Sequence, residues 1–267
     1  MNDPIKAHLA AVERDRYSQA TLTARARVLA TLDDPLGMDR VATVAWWESR
    51  QIRPDGEPRA ASSLSGEKAH VSEFWRWAMR EGLIDRNPAD WLPKVRQAKP
   101  MAVVVPEADL YRLLREAEPH MRRMVALAAM AGLRSAEIAS VKWTDVDRDS
   151  GVLWVREGKG RKDRSVPLSA GLLAELGDPD DAGPIIGKDM TAKAVSMALG
   201  RYLRAKGSDF TAHKLRARYL TRFLAATGDA VAAAQVAGHS DLSSITRYAV
   251  ASSDTMRRGA EAAGRVG

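Results

Sequence analysis

Residues 150–171, SGVLWVREGKGRKDRSVPLSAG, interrupt a chain whose flanks carry a different hydrophobic period. Upstream, HMRRMVALAAMAGLRSAEIASV (120–141) places apolar residues at helical spacing, and downstream TAKAVSMALGRYLRAKG (191–207) and TAHKLRARYLTRFLAATG (211–228) do so again. Within 150–171 two short apolar runs bracket the basic, glycine-containing EGKGRKD, which predicts two short strands joined by a turn. The pattern describes a mostly helical domain with a small antiparallel insertion. It does not describe an alternating α/β sheet.

Working outward, the region from Ile5 to about Val95 predicts several helices. SQATLTARARVLATL (18–32), DRVATVAWWESRQI (39–52) and EKAHVSEFWRWAMREG (67–82) are helical in spacing, the last two carrying Trp46, Trp47, Phe74, Trp75 and Trp77. Between them RPDGEPRAASSLSG (53–66), rich in turn formers and small polar residues, predicts a connection. The prolines and basic residues of NPADWLPKVRQAKPMAVVVPEADL (87–110) suggest a boundary, with a helix starting near Leu110 behind Pro106, Glu107 and Asp109. The expected layout is a helical unit at 1–95, a linker at 96–105 and a second unit at 106–267.

Lysine plus arginine exceed aspartate plus glutamate by seven, and the pI is about 9.8, which favours an anionic partner, with nucleic acid ahead of a membrane surface. The chain has no cysteine, so disulfides, thiolate nucleophiles and cysteine metal sites are excluded. The N-terminus lacks an apolar signal core, and no stretch supplies the roughly 20 apolar residues that span a bilayer. The expectation is a soluble intracellular protein with no membrane partner. RMVALAAMAGL (123–133) is too short for a span and predicts a buried helix.

Several residues carry chemistry. His213 and Arg216 stand three apart, which on a helix puts both near one face and lets them meet one phosphate; a solvated helix face is the ordinary alternative. Arg134 sits where an apolar helix meets a glycine break, and an ion pair with Glu137 would explain it equally well. Lys159, with Arg161, Lys162 and Arg164, either protonates a departing oxygen while its neighbours bind a nucleic-acid backbone, or decorates a solvated hairpin. Tyr248, late in AGHSDLSSITRYAV (237–250), can attack phosphorus if its proton is shared, with His239 as an orienting donor; packing is the alternative for a lone tyrosine.

Taken together, AGLRSAEI (131–138), GKGRKDRSVPL (158–168), HKLRARYLTRFLAATG (213–228) and VAGHSDLSSITRY (236–248) strongly resemble the tyrosine recombinase, or phage integrase, family. The resemblance spans about residues 105 to 250 and fills six positions in order. It implies that Arg134 and Arg216 are phosphate-binding catalytic arginines, Lys159 the hairpin lysine, His213 and His239 the two histidines, and Tyr248 the nucleophile. Lys214 and Arg218 join Arg161, Lys162 and Arg164 as expected DNA-binding residues. Two departures stand out: Ala217 follows Arg216 where the family commonly has histidine, and RYLTRFLAATG is more basic than usual.

The implied protein is a site-specific recombinase working through a 3′-phosphotyrosyl intermediate. Its first unit would be a core DNA-binding domain and its second a mixed α/β catalytic domain with a C-terminal tail. The resemblance implies no nucleotide cofactor and no catalytic metal. Its expected partners are double-stranded recombination sites, three further copies of itself on two paired sites, and an accessory DNA-bending or directionality protein; its expected location is the cytoplasm, at the nucleoid. A topoisomerase would relax supercoils without paired sites, and an architectural DNA binder would form no phosphotyrosine.

Overall fold

A computed structural model describes residues 3–15, 17, 19–96, 105–156, 163–179 and 182–238. The chain divides into two compact units, residues 1–99 and 100–267. It is mostly helical with one small antiparallel sheet, as the change of period predicts.

The first unit holds α1 (Pro4–Arg14), α2 (Gln19–Leu29), α3 (Arg40–Ser49), α4 (Ala61–Arg80) and a short 3-10 turn at Pro88–Trp91. Asp3 and Asp39 cap α1 and α3 with their side chains. Leu29, Val71, Phe74, Trp75 and Ala78 are fully buried, and Trp47 joins them. The indole N–H of Trp75 donates to the Pro35 carbonyl at 2.7 Å, giving a buried ring a partner for its one polar atom. The start of α4 departs from expectation, because the turn-rich composition predicts a connection through residues 61–66. Leu64 is buried against the core, and that tertiary contact outweighs the modest helix propensity of the serines and Gly66. The remaining connection closes on Glu67, whose carboxylate accepts from Arg50 Nε at 3.0 Å and Arg59 Nη1 at 2.9 Å.

His8 is buried on α1 against the rings of Phe74 and Trp77, with Nε2 3.3 Å from Arg25 Nη1. Burial, then the charges of Arg25 and Arg80, lower its pKa from 6.5 to about 4. In that window only the unfolded chain takes up the proton, so stability is full above pH 6.5 and declines as the pH falls toward 4. The loss from this residue should reach about 3 kcal/mol. Denaturant unfolding of wild type and His8→Gln across this range should show a shallower acid decline in the variant; equal declines would refute the assignment.

The second unit begins with α5 (Glu107–Arg115) and α6 (Pro119–Met130), followed by the short α7 (Ser135–Ser140). Met124 through Ala129 are fully buried, making α6 the centre of the core, and no helix among the described residues is long and apolar enough to cross a membrane. The sheet consists of β1 (Val146–Asp147), β2 (Val152–Val155) and β3 (Arg164–Pro167) in that order. Leu153 pairs with Val166, and both point into the core with Val155, while Trp154 faces out. The two expected strands are β2 and β3; β1 is an addition too short to carry a period. Then come α8 (Ala170–Leu176), α9 (Ala192–Ala205), α10 (Ala212–Thr227) and α11 (Ala230–Ala237). α10 lies along α6, and its end is closed by Gly228 in the left-handed conformation.

Candidate active site

The site is built where α6 stops. Gly132 adopts φ +66°, and an added Cβ would collide with the Tyr219 ring of α10, so both its backbone and its surroundings require glycine. After this turn Arg134 becomes the extended cap residue of α7. Its own N–H donates to Glu137 Oε2 at 2.7 Å, which holds the carboxylate back over the first turn of the helix.

Glu137 is the hub. Its carboxylate accepts from Arg134 Nη1 at 2.8 Å and from Arg164 Nη1 and Nη2 at 2.8 and 3.0 Å, and it lies 3.7 Å from Arg216 Nη1. Burial pushes this carboxyl up, but hydrogen bonds and charge from Arg164, with the Arg134 contributions, outweigh it and leave it below the ordinary range. Three positive charges thus surround one negative charge, leaving an excess of two.

The carboxyl end of α11 supplies a second set of acceptors. Arg164 Nε donates to the Val236 carbonyl at 2.9 Å, Arg216 Nη2 to Ala237 at 2.5 Å, and Arg134 Nη2 to Gly238 at 3.2 Å. A helix end carries unpaired carbonyls and partial negative charge, so three successive carbonyls suit three guanidiniums. Arg216 Nη1 also donates to the Gly132 carbonyl, tying the α6 turn to the same group. The Arg216 side chain is 4% exposed and that of Arg134 is 26% exposed, so Arg134 presents the more open face to an anion.

The structure brings together Arg134, Arg164 and Arg216. His213 lies one turn before Arg216 on α10, exposed, and Lys214 is half-buried with Nζ 5.7 Å from the Phe210 ring centre. Arg218 is not brought to the cluster. It is two residues from Arg216, about 200° around the helix, and its Nη1 donates to the Ala129 carbonyl at 3.1 Å while Nη2 pairs with Glu107. Arg164, expected among the backbone contacts, has its guanidinium engaged inside the protein. Lys159, Arg161, Lys162, His239 and Tyr248 lie outside the described residues.

Sequence reasoning saw Glu137 only as a local partner for Arg134. Its other arginines are 27 and 79 positions away, distances over which no spacing rule operates. The α11 carbonyls left no signal beyond Gly238, whose φ of +58° ends that helix.

The phage integrase family model matches residues 104–178. A tyrosine recombinase XerA from Thermococcus kodakarensis is 33% identical over 198 residues, covering 68% of this chain and 70% of the relative. A XerC tyrosine recombinase from Xanthomonas campestris is 28% identical over 268 residues, covering 92% and 82%. Among solved structures, a lambda integrase dimer bound to a core site superposes with a TM-score of 0.72 at 19% identity, covering 93% of this chain and 94% of that one. The Tn1549 transposon integrase in complex with circular intermediate DNA gives 0.72 at 18%, covering 97% and 99%.

Proposed function

The chain belongs to the tyrosine recombinase family, and from that premise we propose that Tyr248 attacks a scissile DNA phosphate, giving a 3′-phosphotyrosyl protein and a free 5′-hydroxyl. The observation that carries this reading is the gathering of Arg134, Arg164 and Arg216 on Glu137 and the end of α11, a positive surplus of two that suits an anion such as a phosphate. Donors fixed in place before reaction stabilise charge on the nonbridging oxygens without reorganising as it develops.

In this scheme the tyrosyl oxygen forms the new bond to phosphorus as the bond to the 5′ oxygen breaks. Lys159 gives that leaving oxygen its proton, His213 acts as the acid and base, taking the proton that the attacking tyrosyl hydroxyl loses, and His239 orients the attacked phosphate by donating a hydrogen bond. A partner strand's 5′-hydroxyl then reverses the step in an exchanged connection, so the energy stays in the phosphotyrosine bond. Arg161, Lys162 and Lys214 contact the DNA backbone. The first unit serves as a core DNA-binding domain, and four copies act on two paired sites, assisted by a DNA-bending or directionality protein at the nucleoid.

The test is capture of a denaturant-resistant complex on nicked duplexes carrying candidate sites, followed by mapping of the linked residue. A 3′-phosphate on Tyr248 supports the reading; verified binding without a covalent product favours an architectural binder. Efficient relaxation of supercoils without paired sites would favour a topoisomerase. Lys159→Ala should cleave about 100-fold more slowly with binding intact, and a 5′-thio leaving group, which needs no proton, should restore the rate. Persistence of the defect on the thio substrate would remove Lys159 from the acid role.

A further inference from the structure

We infer that Arg164 is a positioning residue for strand cleavage: from β3 it locks Glu137 and the carboxyl end of α11 into one unit, holding Arg134 and Arg216 ready for a phosphate. The inference rests on the function proposed above and assigns Arg164 a role other than contact with DNA.

Three observations converge on it. The guanidinium pairs with both oxygens of Glu137, at 2.8 and 3.0 Å, while its Nε donates to the Val236 carbonyl at 2.9 Å. The backbone of Gly238 leans on the same group, since a Cβ there would stand 3.1 Å from Arg164 Nη1. Nε and both Nη atoms of the guanidinium thus already donate within the protein, to the Glu137 carboxylate and the Val236 carbonyl. One planar fork therefore joins residues 137, 164 and 236, which no local structure connects.

Charge gives the arrangement its purpose. Glu137 and Arg164 cancel as a bidentate pair, so the charges of Arg134 and Arg216 remain available to an anion although both touch the same carboxylate. Without Arg164 the carboxylate would draw more strongly on those two, and the α11 end would lose one of its three ties. Lysine cannot substitute, because a point-like ammonium cannot span two carboxylate oxygens and a carbonyl in one plane.

The test compares full-length wild type, Arg164→Gln, Arg164→Lys and Gly238→Ala on a nicked duplex bearing a bound site. Positioning predicts unchanged affinity and unchanged salt dependence of binding, with covalent-complex formation at saturating protein slowed about 100-fold in Arg164→Gln and little recovered in Arg164→Lys. Gly238→Ala, which presses on the guanidinium without altering its charge and also strains the left-handed backbone at φ +58°, should share that signature beyond its loss of thermal stability and serves if Arg164→Gln fails to fold. A further readout is the cleavage pH profile. Among the described residues, the charged groups facing Glu137 are Arg134 from α7, Arg164 from β3 and Arg216 from α10, while α11 contributes carbonyls. Loss of Arg164 leaves burial less opposed, so the acid limb of the variant should move to higher pH.

A DNA contact predicts the opposite: weaker binding, a salt slope smaller by about 0.9, and normal cleavage at saturation. That outcome, or a wild type that cleaves beside an Arg164→Gln variant that cleaves equally fast, overturns the inference alone. Cleavage falling only in step with thermal stability, with no shift in pH profile, also overturns it. A wild type that binds its site and forms no covalent product overturns the functional reading beneath it.

Discussion

Tyr248→Phe should bind DNA as wild type does and form no covalent complex, a loss of about 10⁴-fold or more. The substitution keeps the ring and deletes only the oxygen that would bond to phosphorus. The other tyrosines are poorly suited to replace it. Tyr202 donates its hydroxyl to the Leu113 carbonyl at 2.6 Å, and burial raises its pKa. Tyr219 is also raised by burial, although Arg164 and Arg216 pull it down, and its ring is wedged against Gly132. Tyr17 and Tyr111 are exposed, on the first unit and on α5. The yield of denaturant-resistant complex on a nicked duplex measures the effect. Undiminished yield in Tyr248→Phe, or linkage mapped to the α10 peptide containing Tyr219, would reassign the nucleophile.

The next largest effect should come from Arg216→Lys, with cleavage about 10³-fold slower at saturating protein. The charge survives and the fork does not. Arg216 Nη1 and Nη2 reach carbonyls on opposite sides, Gly132 before α7 and Ala237 at the end of α11, so this side chain fixes the separation of two walls of the site. An ammonium can satisfy one wall and leaves the other buried carbonyl without its donor, at a cost of about 1–3 kcal/mol in stability. Rates should therefore be compared well below the melting temperature of the variant. Cleavage within tenfold of wild type would show that charge alone suffices and that the fork is dispensable.

Much of the architecture was legible because it is periodic. The apolar run of α6, the helical spacing of α9 and α10 and the change of period at 150–171 each depend on neighbours a few residues apart. Boundaries that depend on packing were less legible: α4 starts at Ala61 because Leu64 finds the core, and β1 exists because β2 lies beside it. Charged residues were the least legible. Arg216 and Arg218 look alike in HKLRARYL, yet helical rotation sends one to Glu137 and α11 and the other to Glu107 and α6.

The sequence by itself determined the helical class, the antiparallel insertion, the basic character and the family to which the ordered motifs belong, because these are properties of local period, composition and residue order. Only the tertiary structure decided that Glu137 gathers Arg134, Arg164 and Arg216, that the carbonyls of Val236, Ala237 and the cap residue Gly238 receive them, and that Arg164 turns inward. The physical reason is that an ion pair between distant residues carries no period. A buried carboxylate requires cations, but which cations reach it is set by how α7, β3, α10 and α11 pack.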